Sequence, residues 1–207
     1  MKINRIVLLG CLLGPAAWGS QRDEIRVRIQ NYAGVSEKLQ AKAYAVAERI
    51  LSEVSVSVQW LDCSPVLGEG MDAGCKKRPG PADLFLRLMP ERMATSAGMN
   101  TVSLGYALVP KGELGSLAAV FPDKARRKAD HSLAKRPSVL GHAIAHEIGH
   151  LLLGIAEHSE YGLMQANWSP GQLLRATARP MEFNRRDVRQ IQRNVRARLV
   201  LSRQRTD

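Results

Sequence analysis

One apolar segment in the second half of the chain constrains the fold more than any other feature. Residues 138–153 carry hydrophobic side chains on all sides of the helix they predict, and Gly154 follows as a helix stop. A helix that is apolar all round must be buried, so we expect it to lie at the centre of a domain. Three histidines and a glutamate interrupt its apolar character: His142, His146, Glu147 and His150.

The pattern H-E-x-x-H within this helix predicts a zinc site. His146 and His150 are four residues apart, so their imidazoles lie on one helix face and can bind the same zinc ion. The zinc would polarise a carbonyl and lower the pKa of a bound water to about 7. Glu147 would take the proton of that water as it attacks a peptide bond. The competing interpretation of the pentapeptide alone is a helix with two surface histidines.

The residues from His146 to His158, with Gly162-Leu163-Met164 after them, resemble the metzincin clan of zinc metallopeptidases. The clan's pattern is H-E-x-x-H-x-x-G-x-x-H followed by a methionine turn. The resemblance implies that His158 completes the zinc site and that Met164 lies beneath it. Here the glycine follows the second histidine by four residues instead of three, and His158 follows it by eight instead of six. Segments between residues 31 and 168 also resemble uncharacterised secreted bacterial proteins of the zincin type.

Some assignments around the site stay open at the level of sequence. The predicted ligands of one zinc ion per chain are His146, His150 and His158, with the fourth position left to water. Glu157 and Glu160 are alternatives for the third ligand. His142, one turn before His146, is either a structural histidine or a group that supports the site. Tyr161 is a candidate oxyanion stabiliser, although in the family that tyrosine follows the methionine.

The remaining chain predicts a small sheet with few helices. Alternation with period two predicts strands at residues 24–30 and 54–60, and a helix with Ser36 as its N-cap is predicted between them, at 36–54. This order favours a parallel pair. Further expectations are strands at 83–89, 101–109 and 117–121, a surface loop at 61–81, a basic linker or short helix without a clear apolar face at 124–136, and a terminal helix at 184–202.

The fold class predicted from these elements and the resemblance is α+β. We expect one zincin-like (metzincin-like) domain over residues 20–207, with a small mixed twisted sheet, an early helix, the H-E-x-x-H helix and a C-terminal helix. A length of 207 residues with 45% hydrophobic content suits one domain with a sizeable core.

The first residues predict export. Lys2 and Arg5 precede the apolar run 6–14 and then small residues, the order of a secretory signal peptide over residues 1–19. The run is too short for a transmembrane helix, and no later segment reaches the roughly 20 apolar residues required. We therefore expect a secreted or periplasmic protein, with lipid anchoring through Cys11 as the alternative. In an oxidising compartment Cys63 and Cys75 should form a disulfide.

The net charge of +11 raises the question of anionic partners. The arginines of the terminal helix alternate with apolar residues and are typical of a solvated helix face, which disfavours nucleic-acid binding. The expected partner is a peptide or protein substrate, added as a strand along a sheet edge at residues 116–121. The sequence defines no oligomeric state. The alternative function is a zincin-fold protein that holds zinc without useful hydrolysis.

Overall fold

The computed structural model describes residues 23–64, 73–96 and 103–204. The predicted leader, including Cys11, lies outside these residues and stays a prediction. The described elements follow one another as β1 (Asp23–Asn31), α1 (Glu37–Ser52), β2 (Val56–Asp62), α2 (Ala73–Lys76), β3 (Asp83–Leu88), α3 (Glu91–Ser96), β4 (Gly105–Leu108), β5 (Leu117–Val120), α4 (Pro122–Ser132), α5 (Arg136–Leu153), α6 (Pro170–Ala176) and α7 (Arg185–Gln204).

The described strands form one mixed sheet in the order β2-β1-β3-β5-β4. β1 pairs in parallel with β2 and β3, β3 pairs in parallel with β5, and β4 runs antiparallel to β5. The period-two pattern has its physical cause in burial, since Ile25, Val27 and Ile29 all enter the core. The predicted parallel pairing across the first helix is confirmed.

One expectation about the sheet is wrong. Residues 116–121 were assigned to a free edge, but β5 has a partner on each side, so its backbone groups are already paired. Among the described strands, β4 forms the edge on this side of the sheet. The reason is topological, because β5 inserts between β3 and the strand that precedes it in sequence.

Helix α5 lies at the centre of the described structure, as its apolar sequence predicts. Every residue from Ser138 to Leu153 is buried, and the helix contacts α1, α4, α6, α7, β4 and β5. Gly141 allows α1 to approach closely, since a Cβ there would lie 2.5 Å from the carbonyl oxygen of Ala43. In the part of the chain that the structure describes, no helix is both long and apolar enough to cross a membrane.

Residues 124–136 differ from the prediction of a basic linker or short helix without an apolar face. They contribute most of α4, which buries Ala125 and Ala129, four residues apart, and packs on α5. The short helices α2, α3 and α6 were not predicted, and α2 lies within the expected loop at 61–81. Helix α6 begins with a capping box, in which the Ser169 hydroxyl accepts from the Gln172 N–H and the Gln172 side chain accepts from the Ser169 N–H.

The predicted disulfide between Cys63 and Cys75 is confirmed, with 5.6 Å between the two Cα atoms. A buried arginine ties this segment to the sheet. Arg28 on β1 donates from Nη1 to the carbonyls of Cys75 (3.1 Å) and Lys77 (2.9 Å), and its Nε lies 2.9 Å from Asp83 Oδ1. The loop and the sheet are therefore held together by hydrogen bonds to one charged group.

Helix α7 is amphipathic as predicted, but Arg198 does not belong to its solvated face. Its side chain is buried and donates to the carbonyl oxygens of Pro81 (2.9 Å) and Leu151 (3.0 Å). Burial lowers the pKa of this guanidinium to about 10. Arg198 thus holds α7 to the segment that precedes β3 and to the C-terminal end of α5.

Candidate active site

The two histidines of the H-E-x-x-H pattern face each other from successive turns of α5. His146 and His150 are both buried, and their Nε2 atoms are 3.1 Å apart. The spacing of four residues on a rigid, fully packed helix places them there. The structure therefore brings together the pair that the sequence predicts.

The opposite ring nitrogens of these histidines have backbone partners. His146 Nδ1 is 2.8 Å from the Leu163 carbonyl oxygen, and His150 Nδ1 is 3.0 Å from that of Ile155. Because a carbonyl oxygen only accepts, each Nδ1 carries the hydrogen, and each Nε2 presents a lone pair. Burial lowers the pKa of His146 to about 3, which opposes a proton shared between the two rings. Two facing lone pairs are the donor arrangement of a metal site.

His158 approaches the same point from outside the helix. Gly154 ends α5 in the left-handed conformation at φ 69°, with its N–H bonded to the His150 carbonyl, so the predicted helix stop is confirmed. The chain then turns back, and the candidate ligand atoms of His146, His150 and His158 lie within 4.8 Å of one another. His158 itself is exposed, which leaves one side of the group open to the solvent.

The segment after His158 is held to α7. Ser159 Oγ donates to Asp187 Oδ2 (3.1 Å) and accepts from Asn184 Nδ2 (3.0 Å), while its backbone N–H donates to the Met164 carbonyl (2.8 Å). Asp187 is buried, and burial raises its pKa against the hydrogen bond from Ser159. This network fixes the backbone next to His158.

Met164 lies in the turn beneath the histidines and is fully buried. A Cβ at Gly149 would come within 2.7 Å of the Met164 sulfur and 2.9 Å of the Phe183 ring, so the glycine next to His150 is what allows this close packing. Gly162 opens the turn at φ 83°, where L side chains are strained. Met164 is therefore packed against the residue that precedes His150.

Glu147 points into the cavity beside the histidines and is almost fully buried. Burial alone raises the pKa of this carboxyl to about 8. Its neighbour on the sheet is Gly105, the first residue of β4, where a Cβ would lie 2.8 Å from Glu147 Oε1. The glycine therefore makes room for the carboxyl group of Glu147.

The cavity that contains these groups has a volume of about 430 Å³. One wall is the edge strand β4 with the residues before it, another is the segment 165–168, and α4 contributes Lys128. Trp168 lies edge-on to His146, and its Nε1 donates to the same Leu163 carbonyl that His146 uses (3.2 Å). This volume lies within the range of ligand-binding pockets.

Four residues considered from sequence do not belong to this group. His142 is fully buried with both ring nitrogens occupied: Nδ1 lies 2.7 Å from the Ser138 carbonyl, and Nε2 accepts from the Met181 N–H at 3.0 Å. It is a structural histidine. Tyr161 is 66% exposed and does not line the cavity. Glu157 and Glu160 are also exposed and lie outside the histidine group.

The contributions of Gly105, Lys128 and Trp168 to the cleft were missed by sequence reasoning. Gly105 and Lys128 come from segments whose spacing carries no signal for this site. Of the three, Trp168 could have been predicted, because it follows the methionine turn closely in sequence.

Comparison with protein-family models and with curated proteins finds no match. Among solved structures, archaemetzincin from Methanopyrus kandleri is similar, with a TM-score of 0.52 and 17% sequence identity, over 85% of this chain and 98% of that chain. At this identity the likeness shows the fold. The chain has a zincin-like α+β fold, and the predicted fold class is confirmed.

Proposed function

We propose that this protein is an exported zinc metallopeptidase, in which His146, His150 and His158 hold one zinc ion and Glu147 is the general base. The observation that carries the proposal is the 3.1 Å approach of the Nε2 atoms of His146 and His150, with both Nδ1 hydrogens donated to backbone carbonyls. Zinc–nitrogen distances of about 2.0–2.1 Å in a tetrahedral site separate two ligand nitrogens by about 3.3 Å. The pair is therefore spaced as two ligands of one ion.

The donor set suits zinc. Three imidazole nitrogens are ligands that zinc accepts in catalytic sites, and the exposed side at His158 leaves access for water. When bound, the zinc supplies a Lewis acid that polarises the scissile carbonyl and acidifies the attacking water. The backbone carbonyls of Leu163 and Ile155 orient the two buried rings and increase their basicity as ligands.

Glu147 supplies the proton transfers. Its carboxyl group lies in the cavity beside the histidines, and its low exposure gives it a higher proton affinity than a surface glutamate has. It takes a proton from the attacking water and returns it to the leaving amine, which breaks the peptide bond without a covalent intermediate. Strand β4 has no neighbouring strand on its outer side within the described residues, and it borders the same cavity.

Export rests on sequence and on one structural feature. The leader predicted at residues 1–19 is the order of charged, apolar and small residues that export requires. The disulfide between Cys63 and Cys75 suits an oxidising compartment.

The test of the metal site measures zinc content and affinity in purified variants. His146→Ala and His158→Ala should each lose zinc, while Glu157→Ala and Glu160→Ala should retain it. His131→Ala is the matched control, because His131 is an exposed histidine on α4 that does not line the cavity. If His158→Ala retains zinc and one glutamate variant loses it, the third ligand is a carboxylate.

The test of catalysis separates a peptidase from a zinc-binding protein without useful hydrolysis. Glu147→Gln should keep one zinc ion per chain and lower peptide hydrolysis by a factor of about 10² to 10⁴. Mass spectrometry of a digested protein mixture, with and without chelator, measures the loss. If zinc-loaded wild-type protein cleaves nothing in such a mixture, the protein is a zinc-binding protein without useful hydrolysis and the peptidase proposal is wrong.

A further inference from the structure

Lys128 is a basic residue of the cleft wall that the proposed zinc chemistry does not use. It lies on α4, is half-buried and lines the same cavity as His146, Glu147 and His158. Apart from those histidines and Glu147, no other ionised side chain is among the described residues that line this cavity. The cleft thus combines the reacting groups with one lysine ammonium.

The other basic residues before it on α4 have acidic partners. Lys124 Nζ lies 3.3 Å from Glu91 Oε1, Arg126 pairs with Asp130 at 3.9 Å, and Arg127 pairs with Glu91 and Asp123. Within residues 23–64, 73–96 and 103–204, Lys128 forms no ion pair. The one unpaired cation among these four is the one that lines the cleft.

The helix that carries Lys128 is also held in place. Lys124, one turn earlier on the same helix face, donates to the carbonyl of Ser103 at 3.3 Å, and Ser103 lines the cavity. Ala125 and Ala129 on α4 are buried in the core. The helix wall that carries Lys128 is therefore fastened both to the core and to the segment that leads into β4.

Lys128 is a half-buried lysine without an ion pair among the described residues, and such a side chain favours an anionic partner. A carboxylate brought within reach of its ammonium group would form a charge-assisted hydrogen bond. Glu147 does not fill this role, because Lys128 and Glu147 form no ion pair in the described structure. A substrate carboxylate can, since it enters the cavity where the lysine lies.

We propose that Lys128 forms a carboxylate-binding subsite of the cleft, which selects peptides that carry an acidic side chain or a C-terminal carboxylate near the cleaved bond. The inference rests on the proposed peptidase function and deepens it by naming the substrate class. Lys128 is a specificity-determining residue in this proposal.

The test measures binding separately from hydrolysis. Zinc-loaded Glu147→Gln protein, which should bind without cleaving, is titrated calorimetrically with N-acetylated octapeptide libraries that hold Glu or Gln at one position. Each library is made with a C-terminal amide and with a free acid, so that the two sources of carboxylate are distinguished. The same titrations are repeated with Lys128→Met and Lys128→Arg added, and with Lys42→Met, an exposed helical lysine of α1, as the matched control.

We expect the preferred carboxylate peptide to bind about tenfold more tightly than its neutral counterpart, the factor of one charged hydrogen bond. Lys128→Met should abolish this preference with zinc content unchanged, Lys128→Arg should keep most of it, and Lys42→Met should have no effect. A preference for Glu over Gln in amidated peptides assigns the side chain, and a preference for the free acid assigns the C-terminus.

The proposal is overturned if Lys128→Met binds acidic and neutral peptides as the parent protein does, or if no carboxylate preference exists. Cleavage by the wild-type enzyme is measured in parallel on the same libraries. If the wild-type enzyme cleaves peptides but Lys128→Met has no effect on binding, the peptidase proposal stands and the subsite proposal is wrong. If binding shows a carboxylate preference that depends on Lys128 but no peptide is cleaved, the subsite proposal stands and the peptidase proposal is wrong.

Discussion

Gly105→Ala tests the position of Glu147 without touching a metal ligand. A Cβ at residue 105 would lie 2.4 Å from the Ala119 carbonyl oxygen and 2.8 Å from Glu147 Oε1. The contact with the backbone oxygen must lengthen to at least 3.0 Å, and an ordinary contact begins at 3.4 Å. Either β4 moves outward by a sizeable fraction of an ångström, or the carboxyl group of Glu147 turns away.

The magnitude follows from these contacts. Forcing an extra carbon into a packed site costs about 1–3 kcal/mol of unfolding free energy. A displacement of about 1 Å of a reacting group lowers the rate roughly 100-fold. Zinc content should stay at the wild-type level, because the group that could hold the metal is formed by His146, His150 and His158.

The assay compares kcat/KM on a cleaved peptide, zinc content by elemental analysis, and urea unfolding. Gly171→Ala is the control, because the nearest atom to a Cβ there is the end of the Arg175 side chain at 3.4 Å. It should leave activity unchanged. Full activity in Gly105→Ala would refute the placement of the base, and loss of zinc would show that β4 supports the ligands themselves.

Three further predictions concern stability and the metal. In zinc-free protein the pKa of Glu147 is raised from 4.5 to about 8, so stability contributed by its neutral form is present below pH 4.5 and lost as pH rises through 8. Glu147→Gln should therefore gain free energy of unfolding relative to the wild type as the pH rises. The difference between the two proteins in urea unfolding should be up to about 3 kcal/mol larger at pH 8 than at pH 5, and a pH-independent difference would contradict this. Ser159→Ala removes the bonds to Asp187 and Asn184 and should weaken zinc binding about tenfold in a chelator competition, whereas unchanged affinity would show that His158 needs no such support. Met164→Ala empties a buried position and should cost about 2–5 kcal/mol in urea unfolding, and a loss below about 1 kcal/mol would argue against the close packing on Gly149.

The elements predicted correctly are those whose burial has a short period. Strands β1, β2 and β3 bury apolar residues in alternation, and α5 is apolar on every side. Both patterns are visible within a few residues of sequence. The order of the strands cannot be predicted from a local pattern, because the position of β5 between β3 and β4 depends on contacts between residues far apart in sequence. Nothing local to residues 116–121 distinguishes an edge strand from an inner one.

Helices α4 and α7 show where charge conceals structure. In α4 the buried apolar residues are two alanines among lysines and arginines, so a hydropathy pattern has little to detect. Arg198 reads as one more solvated arginine, yet its partners are carbonyl groups of Pro81 and Leu151, which the fold alone brings to it. Side chains that bond to distant backbone atoms leave no trace in periodicity.

The candidate site divides in the same way. His146, Glu147 and His150 were predictable because four-residue spacing on a helix determines their geometry. His158 was predicted from the metzincin resemblance, and the helix stop at Gly154 from the end of the apolar run; the structure confirms the left-handed Gly154 at φ 69°. Gly105 and Lys128 were not, since each reaches the cleft from another element.

The spacer between Gly154 and His158 gives the cleft a wall that can be redesigned. Ile155, Ala156 and Glu157 are exposed, and the Ile155 carbonyl orients His150, while Ala156 lines the cavity. Position 156 therefore contributes to the cavity wall from outside the hydrophobic core. A library of substitutions there would vary the width of the cleft while leaving the three histidines, Glu147 and the packing of α5 intact, which makes this loop position the natural starting point for altering selectivity.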